Sequence, residues 1–516
     1  MGSAKLEHMF DIFPPEVADL GALNAGELVD AARGWARAEN AACARKLAVM
    51  AEIFARRTSD SAEERELWWV DPEAAVAAEL AAALQLTQGL ALHQTHRGVA
   101  LRDRLPKVAA VFEAGLISDL LVRKIVWRTW LITDPQLMAA VDAELAGQVS
   151  RWGALSEKKL EAAIDATVIA HDPAALRQPR PGTADRAVEF GSPTDEPGYT
   201  SLWARLYSPD AAAVCDRVNR VADSVCAADP RSHAERLCDA FGAIGAGLET
   251  LACRCGHDDC DAAGRETPTR NTTIYLIADA ETTEEPTETV EPAADHEPAT
   301  ETVEQSETEP AKPAKRAKPA FAFGAGVMPP ALLGALVEGA RLRYVRHPGD
   351  SPAEERYTPS TALAEFIRCR DLTCRFPFCD KPATDADIDH TVPYPVGPTH
   401  ASNLKCLCRF HHLVKTFWGG PDGWRDRQLP DGTVIWTSPT GHTYTTYPGS
   451  RLLFPSLCRP TATLWFGEPP TPQTRDGRTA MMPRRRRTRA ANRSRAINAE
   501  RKLNAEHSDR GSDPPF

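Results

Sequence analysis

The sequence predicts two folded parts of different class: a mainly α-helical N-terminal domain and a small α+β C-terminal domain with a structural zinc site. Three observations lead to this prediction. Residues 15–250 are rich in Ala, Leu, Arg and Glu, with apolar residues at three- and four-residue steps, which is typical of amphipathic helices. Two pairs of Cys and His ligands lie near the C-terminal end. A segment of low apolar content separates the two parts, and a basic tail follows the second.

The N-terminal domain is assigned to residues 10–278. Asp71-Pro72 and Asp134-Pro135 fit helix starts, because an Asp side chain accepts hydrogen bonds from free amides and Pro has no amide hydrogen to satisfy. The segment TTIYLIA, which ends this domain, predicts one buried strand.

The net charge of −11 comes from 60 Lys and Arg against 71 Asp and Glu, which at first argues against a nucleic-acid partner. Residues 281–309, however, hold eleven acidic and no basic residues, so the rest of the chain is neutral on balance. A composition of Glu, Thr, Pro and Ala cannot bury enough apolar surface to fold. We therefore assign 279–319 as a disordered acidic and Pro-rich insertion, and a nucleic-acid partner stays open.

Beyond the insertion, residues 320–356 are predicted to continue the helical domain. Residues 357–456 form the C-terminal domain, in which the β-rich runs 433–436 and 443–447 between turn signals predict a β-meander. Residues 473–516 are polar and then strongly basic, and we expect a disordered tail there.

Cysteine usage bears on the location of the protein. No window of about 18 apolar residues occurs, which argues against a membrane-spanning helix, and the N-terminus lacks the apolar region of a signal peptide. The 13 Cys then belong to a reducing compartment, where clustered Cys favour metal sites over disulfides. We expect a cytoplasmic protein with no membrane partner.

The densest set of metal ligands lies in residues 369–418. It contains a Cys pair with C-x4-C spacing and a second pair with C-x2-H spacing. Two such pairs about thirty residues apart are typical of a closed tetrahedral zinc site that stabilises a small domain. Cys369 and Cys406 could each replace one of these ligands, but their positions along the chain fit the paired spacing less well. The predicted ligands of a structural Zn²⁺ are Cys374, Cys379, Cys408 and His411.

The order of residues around these ligands resembles that of the HNH nucleases. The dipeptide Asp389-His390 follows the first pair, Asn403 comes next, and His412 directly follows the last ligand. The resemblance implies a ββα-metal (His-Me finger) fold, in which a β-hairpin and a helix surround a catalytic metal ion. The zinc-bearing branch has Cys at the fourth ligand position, where this chain has His411, itself a normal zinc ligand.

By this resemblance, His390 is the general base that deprotonates water, since imidazole titrates near neutral pH. Asp389 and His412 hold one divalent ion, Mg²⁺ or a similar ion, at the scissile phosphate. Asn403 fixes the loop that carries His390. The implied reaction is hydrolysis of a phosphodiester bond that leaves 5′-phosphate and 3′-hydroxyl ends.

Basic residues in two places are candidate contacts for DNA phosphates, although each of them could equally be a solvated surface charge. Residues 484–502 carry nine basic residues against one acid, which suits salt-dependent, sequence-independent binding. The apolar run 116–126 could form a helix-turn-helix, but a core-facing stripe is the preferred interpretation. The predicted DNA contacts are Arg409, Lys415, Arg484, Arg485, Arg486 and Arg487.

The resemblance extends beyond this motif to the 13E12-repeat proteins of actinobacteria. It rests on the opening FDIFPPEVADL, on residues 320–350, and on the segments 387–418 and 429–455. These proteins pair an N-terminal domain of unknown function 222 with a C-terminal HNH domain. The resemblance implies nuclease activity and supplies no role for the helical domain.

A second cluster of ligands closes the helical region, with Cys253, Cys255, His257 and Cys260 as a candidate second metal site. The C-x-C spacing is tight for tetrahedral zinc, and reduced Cys packed at a helix end is the alternative. The four Cys earlier in the chain are expected to be buried apolar residues; they are Cys43, Cys215, Cys226 and Cys238.

Taken together, the sequence predicts a metal-dependent HNH endonuclease, a phosphodiester hydrolase, that acts on DNA and associates with the nucleoid. Two alternatives stay open. One is a non-catalytic, zinc-containing protein with a DNA-binding or regulatory role, and the other is an RNase or toxin on the same fold. A homodimer is compatible with double-strand cleavage, because the chain carries the HNH motif once.

Overall fold

The computed structural model describes most of the chain. The described residues are 15–59, 63–153, 155–177, 187–191, 200–263, 265, 275–278, 320–324, 326–328, 341–465, 467–470 and 481–510. The insertion assigned to 279–319 lies outside them.

Helices dominate the described N-terminal residues, which also hold five short strands, and five further strands lie after residue 385. The helices are α1 (Ala25–Thr58), α2 (Glu63–Glu66), α3 (Pro72–Leu84), α4 (Gln88–Asp103), α5 (Pro106–Glu113), α6 (Asp119–Arg128), α7 (Pro135–Gln148), α8 (Glu157–His171), α9 (Ser208–Ala222), α10 (His233–Gly245), α11 (Thr361–Asp371), α12 (Arg409–Phe417), α13 (Ser450–Leu453) and α14 (Arg489–Arg510). The strands are β1 (Ala187–Phe190), β2 (Leu202–Arg205), β3 (Leu276–Ile277), β4 (Ala320–Ala322), β5 (Gly326–Met328), β6 (Ala386–His390), β7 (Leu404–Cys408), β8 (Arg425–Gln428), β9 (Val434–Thr437) and β10 (Thr443–Thr446). The structure is thus a mainly helical N-terminal part with a smaller, sheet-containing C-terminal region.

The helix starts follow the local sequence. Asp71 accepts from the Ala74 amide at 2.9 Å, and Asp134 accepts from the Gln136 amide at 2.7 Å, so α3 and α7 begin where the Asp-Pro pairs predict. The run 116–126 contributes buried residues to the helical core, as the core-stripe interpretation predicts, except that Leu116 and Leu120 are exposed. That core includes Leu47, Met50, Leu105, Phe112, Leu121, Val122, Ile125 and Val141.

Among the described residues, no helix taken alone has the length and apolar composition needed to cross a membrane. Only α3 and α4 taken together reach that composition, and they meet at a bend of 106°.

Within the predicted helical continuation 320–356, the described residues include two strands, and residues 329–340 lie outside the described part of the chain. β4 pairs antiparallel with β3 on one side and with β5 on the other, and residues 341–356 contain no helix. The reason is a tertiary pairing: the strand predicted from TTIYLIA needs a partner for its backbone, and the Ala and Phe residues of β4 supply it. The insertion therefore connects two adjacent antiparallel strands.

The C-terminal region is built from a hairpin, a helix and a meander. β6 and β7 pair antiparallel with Asp389 opposite Lys405, and α12 follows β7 directly. β8, β9 and β10 form an antiparallel sheet in the order β10-β9-β8, as the turn signals predict.

The two parts share one apolar cluster, which continues from α3 into the hairpin and the meander. Trp68, Val70 and the small residues of α3 pack against aromatic residues of the C-terminal region. A second cluster, beneath α11, contains Phe366, Ile367, Leu404 and Phe454, together with Ile277 of β3.

The basic tail is the clearest departure from prediction. Residues 481–510 are ordered, and α14 lies along the N-terminal helices: the Arg485 guanidinium contacts Asp71 at 2.6 Å, and Arg501 contacts Asp172 at 2.7 Å. Met482 is buried in the shared apolar cluster. The expectation of disorder fails here because the acids that neutralise these arginines lie more than 300 residues earlier. The sequence of the tail alone therefore does not reveal them.

Candidate functional site

The four predicted zinc ligands meet at one point of the C-terminal region. Cys374 and Cys379 lie in the loop after α11, Cys408 ends β7, and His411 is in the first turn of α12. Their sulfur atoms and His411 Nδ1 all lie within 4.8 Å of one another. Cys408 Sγ is 3.3 Å from His411 Nδ1 and 3.9 Å from Cys379 Sγ. A tetrahedron with Zn–S bonds of about 2.3 Å has edges of roughly 3.8 Å, so this donor set fits a zinc ion.

The two alternative ligands lie elsewhere. Cys369 and Cys406 belong to the apolar cluster beneath α11, beside Phe366 and Ile367. Burial raises the pKa of Cys369 to about 12 and lifts the pKa of Cys406 well above its ordinary value. Both thiols are therefore protonated core groups and not metal ligands.

Aromatic packing orients the histidine ligand. The Phe376 ring stacks on the His411 imidazole, with 4.0 Å between centroids and 7° between planes. Phe376 also meets the edges of Trp424 and Trp436, and Trp436 Nε1 donates to the Arg375 carbonyl at 2.8 Å. The ring of His411 is thus clamped with Nδ1 toward the sulfurs.

A buried group of four charged side chains lies along the same hairpin, with Lys405 Nζ 5.7 Å from the centre of the Trp436 ring. Lys405 Nζ is 2.8 Å from Asp389 Oδ2 and 2.6 Å from Asp426 Oδ2, and Lys415 Nζ is 2.5 Å from Asp389 Oδ2. Burial opposes ionisation of Asp389, but the two ammonium groups outweigh it and hold the pKa of Asp389 below its ordinary value. The same carboxylates raise the pKa of Lys405 against the effect of its burial. Two ammonium groups thus lie against two carboxylates, and their formal charges balance.

His412 lies beside this group with a defined orientation. Its Nδ1 is 2.8 Å from Asp387 Oδ2, and its Nε2 is 3.5 Å from Asp389 Oδ1. The two ring nitrogens of His412 therefore face the carboxylates of Asp387 and Asp389. The side chain of His412 is 26% exposed and that of Asp389 is 9% exposed.

His390, the last residue of β6, is buried in a different environment. Its Nε2 is 2.9 Å from Thr399 Oγ1, whose hydroxyl donates in turn to the Arg356 carbonyl. Because the hydroxyl hydrogen is used there, Thr399 accepts from His390 Nε2–H, and Nδ1 carries the lone pair. The Tyr357 ring stacks over the imidazole at 5.3 Å. Burial lowers the pKa of His390 below its ordinary value, so the ring is neutral at pH 7.

Asn403 is fully buried and closes the loop that follows His390. Its Oδ1 accepts from the Val392 amide at 2.8 Å, and its Nδ2 donates to the carbonyls of Val392 and Pro398 at 3.0 and 2.9 Å. A Cβ at Gly397 would lie 2.1 Å from the Val392 carbonyl oxygen, so only glycine fits there. Asn403 thus holds the loop by both of its ends, which is the placement its predicted role requires.

The structure places some of the predicted DNA contacts inside the protein and others on its surface. Lys415 is turned inward and its side chain is 12% exposed. Its ammonium contacts Asp389 and the His390 carbonyl at 2.5 and 2.6 Å, because the helix turns it toward the buried carboxylates. Arg409 is exposed and contacts Asp387 at 3.2 Å.

The tail arginines divide in the same way. Arg484 pairs with Glu64 and Arg485 with Asp71, so both hold the tail against the helical part. Arg486 and Arg487 are exposed.

The second cluster is assembled differently from the prediction. The fourth group that joins Cys253, Cys255 and Cys260 is Cys226, and not His257. His257 lines a cavity of 460 Å³ beside the cluster. Cys253 and Cys255 both remain in the set, and Cys226 comes from a separate loop.

The expectation that the earlier Cys are buried apolar residues therefore fails for Cys226, which joins this cluster. It also fails for Cys215 and Cys238, which are exposed, while Cys43 is partly buried.

Sequence reasoning missed Asp387, Thr399, Lys405 and Asp426. Asp387 could have been predicted from the sequence, because residues two apart on a strand share a face and Asp387 lies two residues before Asp389. Lys405 requires the register of the hairpin, which places it opposite Asp389. Thr399 and Asp426 have no local signal.

The chain is similar to several curated proteins of Mycobacterium tuberculosis. It is 46% identical over 507 residues to the uncharacterized protein MT2160 of strain CDC 1551 / Oshkosh, covering 95% of this chain and 90% of the relative. It is 45% identical over 485 residues to the uncharacterized protein Rv3776 of strain ATCC 25618 / H37Rv, covering 94% and 91%. A third relative, "Uncharacterized protein in est 3'region", is 40% identical over 360 residues, which is 69% of this chain and all of the relative. No solved structure matches the chain.

Residues 35–371 match the family described as Domain of unknown function (DUF222). The match covers more than half of the chain and ends ahead of Cys374, so the zinc ligands and the Asp-His dipeptide lie beyond it. On the extent of this match, the chain belongs to the DUF222 family.

Proposed function

We propose that the C-terminal region is a metal-dependent HNH endonuclease that hydrolyses phosphodiester bonds in DNA. The observation that carries the proposal is the complementary orientation of two histidines. His412 presents Nε2 toward Asp389, as a metal ligand would. His390 is neutral, and its proton is directed to Thr399, as a general base requires.

Asp389 Oδ1 and His412 Nε2 are the atoms that would hold the divalent ion. When bound, such an ion polarises the scissile phosphate and stabilises the departing 3′-oxygen. The side chains fit this role, because Asp387 holds the other nitrogen of His412 in the carboxylate–histidine arrangement typical of metal sites. Lys405 and Lys415 occupy Asp389 Oδ2, so the carboxylate offers one oxygen.

In the proposed reaction, His390 is the general base. Its Nδ1 takes a proton from the attacking water, and the hydrogen bond of Nε2–H to Thr399 stabilises the imidazolium that forms. Asn403 acts as a positioning residue, since its contacts with Val392 and Pro398 set the loop that covers the base. The expected products carry 5′-phosphate and 3′-hydroxyl ends.

A plasmid-nicking assay tests the proposal. The full-length protein should nick DNA in the presence of Mg²⁺ or Mn²⁺, and His390→Ala should lower the rate by about 10²–10⁴-fold, the usual contribution of a general base. Zinc content should not change. His442→Ala is the matched control, because His442 is an exposed histidine of the same region. Equal nicking by His390→Ala and the parent protein would contradict the mechanism.

A second candidate function is a non-catalytic, zinc-containing DNA-binding protein. One observation favours it: two lysines already neutralise the buried carboxylates of Asp389 and Asp426. This candidate predicts DNA binding that His390→Ala leaves unchanged and no nicking at any concentration of divalent ion. A parallel RNA substrate separates an RNase on the same scaffold from both.

A further inference from the structure

A cluster of four cysteines lies in the helical part, far along the chain from the proposed nuclease site. Cys226 follows α9, and Cys253, Cys255 and Cys260 lie in the segment after α10. Their sulfur atoms all lie within 4.8 Å of one another. We propose that these four thiolates form a second, structural zinc site.

The spacing of the sulfurs supports a single shared ion. Cys226 Sγ is 3.4 Å from Cys253 Sγ, near the edge length of roughly 3.8 Å expected for thiolates around one Zn²⁺. The protein supplies all four donors, which is the signature of a structural site, because a catalytic site leaves one position open. Binding releases the four thiol protons to solvent.

Backbone amides point at the sulfurs. The amide of Ala228 donates to Cys226 Sγ, that of Cys255 donates to Cys253 Sγ, and that of His257 donates to Cys255 Sγ. In each case the donor is two residues after the cysteine. Such hydrogen bonds stabilise negative charge on sulfur, which metal-bound thiolates carry and neutral thiols do not.

A separate ion-pair network joins the two loops that carry the ligands. Asp229, which is buried, accepts from the amides of Arg231 and Arg254 at 3.0 Å each. The Arg231 side chain contacts Asp229 at 2.7 Å and donates to the Ala252 carbonyl at 2.8 Å. The loop of Cys226 is therefore held against the loop of Cys253 by contacts that do not involve sulfur.

Among the described residues, the apolar core around α9 and α10 is small. Its buried members all come from residues 218–251: Val218, Val221, Ala222, Ala240, Ala243 and Leu251. Half of them are alanines, which bury little apolar area. Small units with so little core are usually stabilised by a metal or by disulfides, and the convergence of four sulfurs favours the metal.

Metal content of the full-length protein, purified under reducing conditions, tests the proposal. We expect about two zinc ions per chain by elemental mass spectrometry, one for each set of four ligands. Cys255→Ser and Cys374→Ser should each lose about one ion, and the double variant about two. His257→Ala is the matched control and should keep both ions, since His257 is not among the four ligands.

A second measurement does not depend on how the variants fold. On the parent protein, alkylation under native conditions followed by peptide mapping should leave the four cysteines unmodified until a chelator is added. Co²⁺ substitution should give the absorption of an all-thiolate site in Cys374→Ser. Zinc content unchanged in Cys255→Ser, rapid alkylation before chelation, or a Cys226–Cys253 disulfide in the mapped peptides would each overturn the proposal.

Discussion

The two ligand clusters offer an internal comparison. The central cluster (Cys374, Cys379, Cys408 and His411) lies in the apolar core that joins the C-terminal region to α3, and an aromatic ring stacks on its histidine. The satellite cluster (Cys226, Cys253, Cys255 and Cys260) closes two helices whose own core consists of small residues. Both bring four ligands within 4.8 Å; among the described residues, the central cluster also packs against α3, the hairpin and the meander.

The difference teaches that the consequence of losing a metal depends on what packs around it. At the central cluster, Cys408 and His411 belong to the elements that carry Asp389 and His412, so the ligands and the proposed nuclease site share a hairpin and a helix. At the satellite cluster, the ligands hold a peripheral unit. Loss of a ligand from the central cluster should destabilise the whole C-terminal region. Loss of a ligand from the satellite cluster should destabilise only the residues around that cluster.

The largest expected effect is the loss of a central ligand. Cys408→Ser should destabilise the C-terminal region by more than about 5 kcal/mol, because structural zinc contributes most of the folding free energy of small domains. Denaturant unfolding followed by tryptophan fluorescence measures it, since Trp424 and Trp436 lie in the core. Cys369→Ala, a cysteine outside the cluster, should cost about 1 kcal/mol. Equal losses in the two variants would remove the central cluster from its structural role.

The next effect concerns the ring that clamps His411. Phe376 is buried against His411, Trp424 and Trp436, so Phe376→Ala should cost about 3–5 kcal/mol through the cavity it leaves. Phe378, two residues away in the same loop, is 48% exposed, and Phe378→Ala should stay within about 0.5 kcal/mol of the parent protein. Thermal unfolding of the pair separates packing around the cluster from any general effect of the loop.

A smaller effect is expected for the C-terminal segment (residues 481–510 of the basic tail), which packs against the helical part beside the central cluster. Asp71→Asn keeps an N-cap for α3 but removes the charge that Arg485 and Arg489 contact. We expect a loss of about 1–3 kcal/mol, because Asp71 is buried while both arginines are partly exposed. Limited proteolysis should then cut within residues 481–510.

Glu64→Gln is the control for the C-terminal segment, since Glu64 pairs with Arg484 while 65% exposed. It should change stability by less than about 0.5 kcal/mol. Protection of residues 481–510 that is the same in Asp71→Asn and in the parent protein would show that the other contacts of the segment, among them buried Met482 and the Arg501–Asp172 pair, hold it without the charge of Asp71.

The smallest global effect is expected at the satellite cluster. Cys255→Ser should change the unfolding of the central core by less than about 0.5 kcal/mol, while amide exchange in α9 and α10 becomes faster. Hydrogen-exchange mass spectrometry resolves the two regions in one experiment. If exchange also rises in β6 and β7, the two clusters are coupled and the comparison between them does not hold.

Local sequence rules predicted some elements well. The Asp-Pro pairs mark the starts of α3 and α7, and the turn signals mark β9 and β10, because capping and turn geometry depend on neighbours in the chain. The central ligand set was also predictable, since paired ligand spacings describe a tetrahedral site directly. In contrast, Cys226 and His257 could not be distinguished from sequence, because the choice depends on how two loops meet.

The sequence by itself determined the helical character of the N-terminal part, the meander and the four groups of the central cluster, all of which follow from short-range patterns. Only the tertiary structure decided that Lys415 turns inward, that Cys226 completes the satellite cluster, and that the basic C-terminal segment folds against Asp71 and Asp172. The physical reason is the same in each case. A charge or a thiol takes its role from partners that approach through space, and those partners lie outside any local window of the chain.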